Sequence, residues 1–162
     1  MSRREVERPV DADVDLRVPA QRAELRRAPL ATLAVISLGG VLGALARYGL
    51  GVAFPRFPGE FPWTTFAVNV CGCLLIGVLM VAITEVWDAP AWVRPLLGVG
   101  VLGGFTTFST YIVDTGQLLT AGAPREALLY LVATPVMALA AVWAGSAATR
   151  TVARRAGRRR QA

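Results

Sequence analysis

The chain of 162 residues contains no histidine and no lysine, and only two cysteines. Without imidazole, a histidine-based proton relay or metal site is excluded. Cys71 and Cys73 stand two apart within an apparent helix and point to separate faces. Neither a mutual disulfide nor a metal clip fits that spacing, and both read as small packing residues. Charge is also scarce, at 17% of residues, against 54% hydrophobic residues and a mean hydropathy of +0.50. A soluble domain of this size would be less apolar.

The charges that exist crowd into the two ends. Between them, Leu30–Ala46, Phe61–Thr84, Pro95–Val113 and Ala127–Thr149 are uncharged. Each run approaches the roughly 20 residues with which a helix crosses about 30 Å of hydrocarbon. The pattern predicts an all-α integral membrane protein with transmembrane helices over about residues 30–54, 62–85, 95–120 and 126–149, forming one domain from 29 to 149. Residues 1–28 mix seven Arg with six Asp or Glu and have no apolar core, so they read as a disordered charged tail and not as a signal peptide. Residues 150–162 carry six Arg and no acid, which suits anionic lipid headgroups. A nucleic-acid partner is not expected, because no folded soluble module accompanies this tail. The N-terminal flank, Arg94 and the C-terminal tail outweigh Arg56 and Arg125 on the other side, which predicts cytoplasmic termini.

Within the spans, Gly39 and Gly43 form a small-xxx-small pair suited to close helix contact. Arg47 lies toward the far end of the first span, either snorkelling to headgroups or facing a water-filled vestibule. Asn69 is the one strongly polar side chain of the second span and must find a hydrogen-bond partner. Tyr130 and Thr134 share one face of the fourth span. GVGVLG, residues 98 to 103, matches a dinucleotide fingerprint in letters, but it lies within a membrane span, where no strand precedes it.

The most unusual stretch is GGFTTFSTY, residues 103 to 111. Glycines weaken a helix, and threonine and serine compete for its backbone groups, so a break near residues 103–107 is expected. At membrane depth a break is tolerated only inside protein or along a cavity. Its freed carbonyls suit a small cation such as sodium, and the restarting half-helix presents positive dipole character to an anion. Phe108 and Tyr111 stand three apart on that half-helix, with Ser109 and Thr110 adding hydroxyl donors, and aromatic edges carry partial positive charge.

GGFTTFSTY is very similar to the GG-x-TTFSTF signature of the Fluc (CrcB) fluoride channels. GxxGAxARY in the first span resembles their GGxxGAxxRY element, and TTFAVNVCG in the second resembles TxxVNxxG. Asp114 stands where the family often has Glu. The resemblance spans residues 38 to about 149. It implies a fluoride-specific channel for passive export of cytoplasmic fluoride, not an enzyme, built as an antiparallel dimer. It further implies a central structural sodium on backbone oxygens of Gly103 and Thr106, and a fluoride path along Phe108, Tyr111, Asn69, Ser109 and Thr110. Tyr130 and Thr134 resemble the polar track opposite the aromatics, and Arg47 and Asp114 the vestibule. Three positions depart from the pattern: Tyr111 replaces the usual second Phe, Ile112 a frequent Ser, and Asp114 a longer Glu.

A strong arginine bias fits poorly with a chain that inserts both ways, so a heterodimer with an oppositely inserted homologue stands beside the homodimer. One competing reading is a small proton-coupled multidrug exporter, but this needs an acid in the bilayer core, and the first span has none. A non-conducting structural or partner subunit is another, and it leaves the glycine pair and the polar aromatic cluster unexplained.

Overall fold

The computed structural model describes residues 30–161, with side chains as far as Ala156. The tail assigned to residues 1–28 lies outside the described residues. The architecture is all-helical and fits an integral membrane protein. Four spans, Leu30–Ala53, Trp63–Val86, Arg94–Thr120 and Pro124–Ala156, are each long and apolar enough to cross a membrane. The first is the helix α1, Leu30–Ala53. The second is α2, Trp63–Val81, which widens over Ala82–Val86 until the Trp87 amide donates to Ala82 O at 2.8 Å.

The third span is assembled from pieces. Arg94–Leu102 is π-wound, Gly103–Phe105 forms one turn (α3), and Ser109–Thr120 forms a second helix (α4). Between α3 and α4, Thr106 is extended, with φ −73° and ψ 158°. The glycine pair itself is not where the chain leaves the helix, since Gly103 keeps helical angles of −65° and −36°. Gly104 serves packing instead: a Cβ there would strike Gly40 O, with Gly40 Cα at 3.0 Å. Helix α4 ends in a Schellman motif, with Gly122 at φ 76°, the Gly122 amide donating to Leu119 O and the Ala123 amide to Leu118 O.

The fourth helix, α5, runs from Pro124 to Gln161. It therefore continues through residues 150–161, which the charge pattern sets apart as a tail. Alanine and arginine both favour helix, and the first stop signal is Gly157.

The helices pack in a way the third span divides. Its first half lies on α1, where Gly39 and Gly43 are the buried residues and Gly100 approaches Gly39 Cα. Helix α2 lies on α5, with Ser146 Oγ donating to Gly77 O at 3.3 Å and Gly145 close against Leu74 O. Helix α4 packs on α5, burying Tyr111, Leu118, Ala127 and Tyr130 together. The third span thus changes partner at the point where it leaves the helix.

Candidate functional site

Asn69 on α2 is only 7% exposed, and its carboxamide is used at both ends. Nδ2 donates to Thr107 O at 2.9 Å, and Oδ1 accepts the Thr107 amide at 2.8 Å. The side chain therefore acts on Thr107 as a neighbouring strand would. The Thr107 amide would otherwise close a helical bond to Gly103 O. One residue pair further on, the Thr110 amide donates to Thr107 Oγ1 at 3.2 Å in the manner of a helix N-cap, and so turns away from Thr106 O. The carbonyls of Gly103 and Thr106 thereby both lose the amide that would continue the helix. Both residues line a cavity of about 460 Å³, together with Asn69, Phe108, Tyr111 and Thr134.

The aromatic wall is graded in exposure. Phe108 is 75% exposed, Tyr111 7% and Tyr130 0%. Ring centroids lie 5.7 Å apart for Phe108 and Tyr111 and 5.3 Å for Tyr111 and Tyr130, tilted by 50° and 57°. The hydroxyls divide by what their protons already do. Thr134 Oγ1 donates to Tyr130 O at 2.8 Å, within its own helix, so it faces the cavity as an acceptor. Thr107 Oγ1 donates to Thr110 Oγ1 at 3.1 Å, which leaves the Thr110 proton free to point elsewhere. Ser109 is exposed and lies 3.4 Å from Thr107 Oγ1. The Tyr130 hydroxyl is buried and has no hydrogen-bond partner among the described residues.

A second cavity, of about 390 Å³, opens on the other side of Thr107 and is lined by Arg47, Arg56, Thr65, Thr107 and Thr110. Arg47 reaches back to α3, where Nε donates to Gly104 O at 3.3 Å. Arg56, in the connection after α1, pairs with Asp114 at 3.0 Å and also donates to Gln117 Oε1. Asp114 is buried, and its second oxygen, Oδ2, has no partner among the described residues. Two guanidinium groups against one carboxylate leave this cavity net positive.

Of the residues singled out in the sequence, Asn69, Gly103, Thr106, Phe108, Tyr111 and Thr134 share the larger cavity, and Arg47 and Thr110 share the other. Tyr130 and Asp114 are buried behind them, and Ser109 lines neither. Sequence reasoning passed over Thr107, which touches both cavities, and Arg56, the partner of Asp114. The available signal for that pair was Asp114, the one charge between Arg94 and Arg125.

Comparison with known proteins places the chain. The family profile described as CrcB-like protein, Camphor Resistance (CrcB), matches residues 34–146, which takes in both cavities. The chain is 54% identical over 121 residues to the fluoride-specific ion channel FluC 2 of Streptomyces avermitilis, covering 75% of this chain and 77% of that protein. To FluC 1 of Streptomyces coelicolor it is 52% identical over 134 residues, covering 83% and 86%. To FluC 3 of Streptomyces avermitilis it is 52% identical over 101 residues, covering 62% and 48%. These relatives are named as ion channels and not as enzymes. With four apolar spans and a family match across nearly all of them, the chain is a multi-pass membrane protein, is not an enzyme, and belongs to the CrcB-like family.

Proposed function

We propose that this chain is a subunit of a fluoride-specific channel of the cell membrane, through which cytoplasmic fluoride leaves passively and its toxicity falls. The observation that carries this reading is the Asn69 carboxamide on Thr107, which holds the third span open beside an aromatic and hydroxyl wall. The names of the relatives support the choice of anion. Protonated fluoride crosses bilayers and dissociates in a near-neutral cytosol, so the trapped anion needs a selective exit and no energy source.

The chemistry matches a small hard anion. Arg47 and Arg56 raise the local anion concentration at the cavity of about 390 Å³ that they line. Fluoride entering the passage sheds water and needs donors in its place; the Asn69 amide edge and the Thr110 hydroxyl line the two cavities, and the exposed Ser109 hydroxyl lies next to them, 3.4 Å from Thr107 Oγ1. Phe108 and Tyr111 line the larger cavity, and the edge of an aromatic ring, the positive rim of its quadrupole, is what an anion can contact there. Thr134 lines the passage from the fourth helix, Tyr130 backs Tyr111 from behind the wall, and Asp114 stands at the end held by Arg56.

A structural sodium suits the released carbonyls of Gly103 and Thr106, since hard oxygen donors are what a hard cation takes. Both line the larger cavity. A bound sodium would supply a fixed positive charge beside the anion route. Phe108, immediately before α4, and Ser109 and Ile112 on it are exposed, so one chain walls the passage on one side only. An antiparallel dimer closes that side and brings a pair of carbonyls from each chain to one point. A heterodimer is supported by two features: the arginine bias toward cytoplasmic termini, and the relatives numbered FluC 2 and FluC 3 in Streptomyces avermitilis.

The test is fluoride efflux from liposomes holding the purified protein, with chloride efflux as the control. Fluoride release without chloride release, lost in Phe108→Ile, is the expected result. No release from the chain alone, and none after adding an oppositely inserted homologue, would overturn the reading.

A further inference from the structure

In an α-helix the carbonyl of residue i accepts from the amide of residue i+4, and proline has no amide proton to give. Pro135 lies inside α5, so the carbonyl of Leu131 has no backbone donor from that position. The phenol of Tyr111 stands in for it: Tyr111 Oη donates to Leu131 O at 2.6 Å. Tyr111 and Pro135 line the same cavity, and Thr134 sits between Leu131 and Pro135 in the helix and faces that cavity too. In a bilayer no bulk water replaces a missing donor, so a bond of this kind holds its partners firmly.

The geometry points to Tyr111 and Pro135 as a matched pair. We propose that the hydroxyl on the third span supplies the donor that proline withholds from the fourth helix, which makes Tyr111 a positioning residue for the anion path. The functional half of this inference rests on the channel reading. Two consequences distinguish it from an added polar group in the passage. The Tyr111 proton is committed to Leu131 O, so this residue offers the passage no hydroxyl donor. The bond also sets the tilt of that ring against Phe108, at 50° with centroids 5.7 Å apart, and ties α4 to the segment of α5 that carries Thr134.

A double-mutant cycle tests the pair: the full chain, Tyr111→Phe, Pro135→Ala and the double variant, each purified for thermal midpoint and reconstituted for fluoride efflux. Tyr111→Phe leaves Leu131 O without a donor and should slow efflux roughly tenfold and lower the midpoint by about 2–4 °C. Pro135→Ala should leave the midpoint within about 1 °C, because the tyrosine bond persists. The double variant, with a backbone amide restored at position 135, should recover most of both losses. Equal losses in Tyr111→Phe and the double variant, or no loss in Tyr111→Phe, would overturn the pairing. If the unmodified chain releases no fluoride alone or with a homologue, the channel reading fails while the midpoints still decide whether the two residues are coupled.

Discussion

At the scale of single residues, the site depends on one amide. Asn69 could be recognised in the sequence as a polar side chain in need of a partner, but the partner lies 38 residues away and is a backbone unit, which no spacing rule predicts. Thr107 is legible in the sequence only as one of the residues that break the helix, since what places it in the site is its peptide groups. Asn69→Leu keeps the volume and removes both bonds, leaving a Thr107 amide and carbonyl unpaired inside the protein. The expected outcome is a loss of about 2–4 kcal/mol in stability, read as a lower thermal midpoint of the purified protein. Efflux should fall together with the midpoint. Unchanged values would show that the helix break does not depend on this side chain. Asp114 and Arg56 make a second residue-scale case. Arg56→Gln strands a buried carboxylate, and stability should fall by about 1–2 kcal/mol, reduced from fully buried pairs because Arg56 is 23% exposed. The double variant with Asp114→Asn should recover much of that loss in the same melting assay.

At the scale of elements, the spans were the most legible feature, because four long uncharged runs admit little else in a short chain. The glycines were less so. Composition says that Gly103 and Gly104 weaken a helix, whereas the structure keeps them helical and uses Gly104 for contact with Gly40. Local propensity could not separate these roles, since close backbone approach is a property of two helices together. The contact pattern makes a graded prediction. Gly43→Ala would drive a methyl into the Val101 carbonyl and the Phe105 amide and should destabilise by about 1–3 kcal/mol. Gly49→Ala on the same helix meets nothing within 4 Å and should be neutral or stabilising by up to about 1 kcal/mol. Thermal midpoints of the two variants, measured in one detergent, check both directions. The extension of α5 through residues 150–161 is hard to see in the sequence because the same arginines that carry charge for a tail also favour helix.

At the scale of the whole molecule, the question is how this chain sits in the bilayer. The arginine distribution predicts one orientation, and a C-terminal reporter pair measures it. A fluorescent protein that folds only in the cytoplasm should light up, and a phosphatase active only outside should stay silent. Comparable signal from both reporters would mean that the chain inserts both ways and supplies both halves of a dimer itself. A single orientation makes an oppositely inserted homologue necessary for an antiparallel assembly.

The third span's change of partner at Thr106–Phe108 has a mechanical consequence. Its first half is fastened to α1 and its second half to α5, so the short extended segment is the joint where those two bodies meet along this span. Relative tilt between them, as when bilayer thickness changes, concentrates at that joint and not along the helices. The Asn69 bonds, anchored on α2, then act as a tie bar across the joint and limit how far it can open or shear.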